Sequence, residues 1–478
     1  MATGQIWKDN LPALATGAAG VILAASLFYS SVPLIVLLAI PASVYFISRP
    51  YELLLLMVFL IPFNFVFTIG PIPVAAELLK VVVWIPFLIH SSDDSVSFRT
   101  SRYNKWFAIW AGIIVLSIFR ANDLPFVIKE CVRLASNLGL FYLVLNLVDT
   151  KERVFQVFRV LTVSAFLVAC YGFYQWAIQG YGALFWIINA RDAVDSSLAP
   201  GHNMFWDWRD RIISTLTSEM ELGHYFNLCL PIAAALWLTE GRRRIGSRWF
   251  LMSLAMLVGL LLTFTFGAWL ALGATGFCFV LLLDKKRHWK MILAGALVLS
   301  IFASVLVFGP LRPFVEAKVM GMGMASLAWD MMTRLDEWVF ALQVWWSHPL
   351  LGVGVGSYQL LEYAHEFVHS PWVPNGSTPH QTYLYLLVQS GIIGMGSMLM
   401  ILLSTIRTNL KLRVNPELGL LALALAFAVS ANMFGWFTDD TFFGAHEGYL
   451  VWVLLGISET IRNLAQPTQG PKFALPSN

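Results

Sequence analysis

The chain predicts an all-α, polytopic transmembrane bundle, and three observations carry that fold class. Only 12% of its 478 residues are charged and 58% are hydrophobic, whereas roughly a quarter of a soluble domain is charged. The apolar residues form runs close to the roughly 17 to 25 residues that cross a hydrocarbon core. Lysines and arginines gather in short clusters between the runs, always on the same side of the helix order, as the positive-inside rule requires.

In order, the apolar runs predict helices at about 11–29, 32–47, 51–69, 72–90, 105–119, 133–148, 152–178, 222–238, 247–264, 266–284, 289–308, 382–405, 417–436 and 442–460. Short runs and tight joins put the expected total at twelve to fourteen spans. The first run has no small-residue cleavage site behind it and reads as a span instead of a removed signal peptide. Arg49, Arg99, Arg102, Lys105, Lys151, Arg153, Arg242 to Arg244, Lys285 to Arg287, Arg407, Lys411 and Arg413 all mark the expected cytoplasmic side, with both termini on that side. The expected organisation is N-terminal helices over 1–179, a first outer loop over 180–221 and middle helices over 222–308. A large outer loop over 309–381, C-terminal helices over 382–460 and a cytoplasmic tail over 461–478 complete it.

A net charge of +3, spread as topological clusters, points away from nucleic acid. Nineteen Trp and fourteen Tyr suit interfacial anchoring in a bilayer. The four cysteines, Cys131, Cys170, Cys229 and Cys278, have no metal-ligand spacing and imply no disulfide framework. Neither a cofactor nor a metal is expected.

Function is sought in the two long outer loops, since the other connections are too short to hold a site. The first carries Arg209, Arg211 and several aspartates before Ser214 to Glu219 lead into a span. In the second, Met331, Leu335, Trp338, Leu342 and Trp345 recur at helical spacing, predicting an amphipathic helix with Arg334, Glu337 and Gln343 on its polar face. Such a helix is expected to lie along the membrane interface or on the spans beneath it. Gly352-Val353-Gly354-Val355-Gly356-Ser357 lacks the lysine of a phosphate-binding loop and predicts a tight turn.

Thr378, Pro379 and Gln381 predict an N-cap, a first helical residue and a capping-box partner, which places His380 in the first turn of a long apolar helix. There the helix dipole disfavours the imidazolium and keeps the ring a competent base. His380 is therefore either a general base for a hydroxyl nucleophile or an interfacial histidine satisfied by headgroups or water. Arg211 and Arg334 either converge on a diphosphate or pair with Asp207, Asp210 and Glu337. Glu77 and Lys80 stand one turn apart and are expected to pair. Lys129, Glu130 and Arg133 would extend a basic, anion-binding surface, while Asp439, Asp440, His446 and Glu447 read as a solvated rim instead of a metal site.

Several stretches resemble the core of the O-antigen ligase and polymerase superfamily: Thr333-Arg334 with Trp338 and Ala341, then His348-Pro349-Leu350-Leu351-Gly352-Val353-Gly354. Pro379-His380-Gln381 with Tyr383-Leu384 and Ser390-Gly391-Ile392-Ile393-Gly394 continues the likeness, and Arg211 to Leu216 before Gly223-His224 is similar to the family's other marked arginine. The likeness is specific over about 205–405. It implies an inner-membrane glycosyltransferase that takes a glycan from undecaprenyl diphosphate at the periplasmic face and passes it to a glycan or lipid hydroxyl. It also implies that His380 activates the acceptor, Arg211 and Arg334 hold the leaving diphosphate, and inversion proceeds without a metal. Arg209, Arg133, Lys129, Gln381 and Tyr383 are then expected around the substrate, with polysaccharide export and chain-length proteins as partners. Polymerase is preferred to ligase, and a solute transporter is the alternative. Two departures stand out: Gln381 replaces a common Asn, and Thr263 to Gly267 lacks the arginine of a Ser-Arg pair found in many relatives.

Overall fold

The structure, a computed structural model, describes residues 49–66, 68–69, 72–73, 80, 83–91, 98–119, 124–178, 212–241, 243–283, 323–359, 378–444 and 446–466. The expected helices at 11–29, 32–47 and 289–308 lie outside these residues, as do Arg209, Arg211 and Glu77. The regular structure within them is helical, apart from a two-residue antiparallel pairing of β1 (Thr68–Ile69) with β2 (Ile72–Pro73).

The helices are α1 (Pro50–Leu60), α2 (Trp84–Ser91), α3 (Asn104–Ile118), α4 (Leu124–Leu147) and α5 (Lys151–Ile178). They continue with α6 (Glu219–Thr239), α7 (Arg248–Leu262), α8 (Phe266–Leu283) and α9 (Gly323–Ser347). The last three are α10 (Thr382–Leu412), α11 (Gly419–Gly435) and α12 (Glu447–Ala465). By length and composition, three of them (α5, α6 and α10) are long and apolar enough to cross a membrane among the described residues, and shorter apolar helices accompany them. The expected run at 51–69 is broken: α1 stops at Leu60 and a 3-10 turn follows over Ile61–Val66, while within the expected run at 72–90 Ile72–Pro73 form a strand and a helix spans Trp84–Ser91. Pro62 lies in the 3-10 turn and Pro73 in β2, and each removes a backbone donor that a continuous helix would need. At α4 the helix begins well before 133, so Lys129, Glu130 and Arg133 lie on its first turns.

Helix α6 occupies the centre, packed against α5, α7 and α11, while α12 lies on α4 and α10 lies on both α3 and α11. Their shared core includes Tyr225, Phe226, Leu425, Val429, Trp436 and Trp452, all buried. The cysteines are free thiols. Lys80 donates to Asn137 Oδ1 at 3.0 Å, with its ammonium 3.5 Å from the centre of the Tyr449 ring; Glu77, its expected partner, lies outside the described residues.

Helix α10 is in two pieces. Gly391 has φ +63° and ψ −173°, and the turn that follows α9 docks into the break. Val353 and Gly354 donate their amides to the carbonyls of Val388 and Gln389, while Ile392 and Ile393 donate to those of Pro349 and Leu350. A Cβ at Gly391 would sit 2.2 Å from the Leu350 oxygen, and one at Gly352, where φ is +70°, would sit 2.4 Å from the Val388 oxygen. Only glycine permits that approach. The expected glycine turn is thus present, and it satisfies the backbone groups that the break releases.

Candidate functional site

Helix α9 is amphipathic as expected, but its faces are arranged differently. Glu337, Phe340, Ala341 and Val344 are buried against α10, Trp338 and Trp345 are half-buried, and Leu335, Val339, Leu342 and Trp346 are exposed. Spacing had put Leu335 and Leu342 on the packed face and Glu337 on the wet one. The strip that packs is rotated, because Phe340, Ala341 and Val344 fit against Val353, Tyr358, Tyr385 and Val388. The side chain of Met331 lies outside the described residues.

The start of α10 also differs from expectation. Its N-cap is Gln381, whose Oε1 accepts the Leu384 amide at 3.2 Å, and the helix begins at Thr382. His380 therefore stands just outside the helix, with φ +43°. Such a value is uncommon for a residue with a side chain, although histidine tolerates it better than most. The acceptors expected from Thr378 come instead from the loop after α11: the Thr382 amide donates to the Trp436 and Asp439 carbonyls, and its hydroxyl also donates to Asp439 at 2.9 Å.

That loop, residues 436–440, gathers the site. Arg334 Nη1 donates to the Thr438 carbonyl at 2.6 Å, and Trp338 Nε1 donates to the Pro379 carbonyl at 3.0 Å. Arginine and histidine, which the sequence places on separate helices, are in this way tied to one short segment. His380 Nε2 lies 3.9 Å from Glu337 Oε1, with the histidine side chain 43% exposed and the glutamate side chain 2%. One ligand atom from each of His380, Asp439 and Asp440 lies within 4.8 Å of the other two, which is the spacing a divalent ion would use. Positive charge is already supplied to that loop by Arg334, which acts electrostatically on Asp439.

Asp439 is buried, contrary to a solvated rim. Burial first, and repulsion from Asp440 second, raise its carboxyl to about 8. Its Oδ1 accepts the Asp440 amide at 2.9 Å, and its Oδ2 lies 3.7 Å from Nε2 of the buried His224 on α6. Close behind, His446 Nδ1 and Glu221 Oε1 are 2.8 Å apart, and Trp436 Nε1 donates to Glu447 Oε1 at 2.7 Å. His446 and Glu447 are buried as well. The clue available in the sequence was the crowding of four titratable residues over 439–447 in a chain so poor in charge.

The remaining candidates are placed as follows. Arg133 bonds to Glu130 at 2.5 Å and to the Phe443 carbonyl, and Lys129 is exposed on the first turns of α4. Tyr383 donates its hydroxyl to the Met433 carbonyl at 2.6 Å, while Gln381 serves as the cap already described. Chemically, the arrangement offers a half-exposed imidazole beside buried carboxylates, with a guanidinium on the same loop. That combination suits proton abstraction from a bound hydroxyl next to an anionic group.

Residues 251–401 match the family model described as O-antigen ligase. The match begins in α7 and ends in α10, so it contains Arg334, the glycine turn and His380 but not Asp439. No curated protein matches the chain.

Proposed function

Starting from the O-antigen ligase and polymerase superfamily, which the match over 251–401 supports for this chain, we propose a glycosyl transfer from undecaprenyl diphosphate to an acceptor hydroxyl at the periplasmic face. His380 takes the hydroxyl proton, the oxygen attacks the anomeric carbon from the side opposite the diphosphate, and the configuration inverts. Arg334, joined in this reading by Arg211, carries the charge that develops on the leaving diphosphate. The single observation that carries the reading is the convergence of Arg334 and His380 on the loop at 436–440. Arg209, Arg133 and Lys129 are assigned to the surrounding substrate surface, and Gln381 and Tyr383 to holding the start of α10 against it.

The enzyme works in the inner membrane with twelve to fourteen spans, cytoplasmic termini and export and chain-length proteins as partners. Polymerase is preferred to ligation onto a lipid core. The solute-transporter alternative gains nothing from the break in α10, because the chain's own turn fills that break instead of leaving it to line a cavity.

The test uses lipid-linked glycan extracted from cells deleted for this chain. Full-length protein should consume it and lengthen or transfer the glycan, whereas His380→Ala, inserted and folded, should not. An active His380→Ala enzyme would overturn the reading. Chelation with EDTA should leave the rate unchanged; a rate that falls and returns with a divalent ion would place a metal in the reaction. Product anomeric configuration opposite to that of the donor is the expected sign of inversion.

A further inference from the structure

A histidine that accepts a proton works best when a carboxylate fixes its other nitrogen and stabilises the imidazolium that forms. Three carboxylates surround His380. Those of Asp439 and Asp440 come from the loop after α11, and Asp439 already has one oxygen on the Asp440 amide and the other toward His224. Glu337 comes from α9, one turn beyond Arg334, and its Oε1 is the atom 3.9 Å from His380 Nε2. It is buried in a strip with Phe340, Ala341 and Val344, an expensive setting for a carboxylate unless it serves a partner. The next residue, Trp338, holds the Pro379 carbonyl, so consecutive residues of α9 hold consecutive residues at the start of α10. Separations of this size commonly tighten once substrate is bound.

Building on the glycosyl-transfer reading above, we propose that Glu337 is the positioning residue for His380. It takes the Nε2–H, sets the tautomer and leaves Nδ1 to receive the proton. In the transfer the acceptor O–H bond breaks as Nδ1–H forms. The new O–C bond forms as the anomeric C–O bond to phosphate breaks, the electron pair leaves on the diphosphate, and the imidazolium then returns its proton to water.

The experiment measures kcat and KM against pH for the full-length protein, with donor lipid extracted from deletion cells. Glu337→Gln keeps the side chain's shape and removes its charge. Its kcat should fall by about tenfold or more while KM for the donor stays within about twofold. The acid limb of the kcat profile should move to lower pH, because an imidazole that loses a carboxylate neighbour protonates less readily. Asp439 and Asp440 also lie by this ring, with His224 beyond Asp439 and Arg334 bonded to the Thr438 carbonyl of the same loop, and all remain in the variant. Glu337→Asp should recover part of kcat and of the limb position. An unmoved acid limb, or a loss confined to KM, would overturn the assignment of Glu337 while leaving His380 in place. Full activity of His380→Ala would instead remove the transfer reading itself. If Glu337→Gln fails to fold, Glu337→Asp, which draws the carboxylate back from the ring, should still lower kcat without raising KM, and a kcat equal to the parent's counts against the proposal.

Discussion

The two ends of the bundle hold their buried acids in different ways. At the end where α12 finishes, Glu459 is buried and lies 3.2 Å from Arg102 Nε and 2.7 Å from Arg462 Nη2. Arg102 also donates to Thr408 Oγ1 at 2.6 Å, and Asn409 donates to Ser458 Oγ at 2.6 Å, so α3, α10 and α12 are sewn together. Similar pairing occurs at Arg153–Asp149 and at Arg159 with Glu152 and Glu240. At the His380 end, carboxylates crowd one another, Asp439 is pushed up to about 8, and a histidine holds a left-handed backbone. Opposite charges satisfied in place suit a structural clamp; like charges held together and a strained residue are the marks of a working site.

Breaking the comparison at its most sensitive point means removing the imidazole. His380→Ala should lower transfer by about 10² to 10⁴-fold, the usual worth of general base catalysis, with an unchanged thermal midpoint in detergent. At the clamp, Glu459→Ala should do the reverse. It strands two arginines and should cost about 3 kcal/mol or more in stability, read as a lower Tm, while activity per folded molecule is preserved. A smaller effect is expected from Arg334→Lys, since an ammonium cannot copy the planar fork. Transfer should drop by about tenfold, the worth of a charged hydrogen bond, and more added lysine charge nearby should not restore it.

Asp439→Asn should show itself in stability against pH instead of in transfer. The folded carboxyl titrates near 8 and the unfolded one near 4, so between these values the native state keeps a proton that the unfolded state releases. Stability from this group therefore falls as pH rises from about 4 and levels off above about 8. The variant escapes that loss, so its Tm relative to the parent should climb from pH 5 to pH 8.5. A constant difference across that range would show that Asp439 is not the proton holder.

The fold was legible wherever an apolar run had only to become a helix, as in α3, α5, α6, α7, α8 and α11. It was illegible where a partner from elsewhere decided the outcome. Thr378-Pro379 carries a good capping signal, yet the loop after α11 offers Thr382 better acceptors, and the helix starts later. Period alone showed that α9 has two faces; which one packs depended on the shapes of Val353, Tyr358 and Tyr385. Likewise Asp439 looks like a wet residue at the end of a span until α6 brings His224 against it. His380 and Arg334 could be named from residue type and surroundings, but the segment that joins them could not.

The turn lodged in α10 also bears on how the chain is made. Residues 349–354 leave the ribosome before Gln389 and Gly391, so the donors and acceptors that close the break exist before the break does. Were the order reversed, bare peptide groups in the middle of an apolar helix would meet lipid first, at several kcal/mol for each unsatisfied group. Chain order thus serves as a built-in assembly schedule: the plug is synthesised first, and the gap it fills follows.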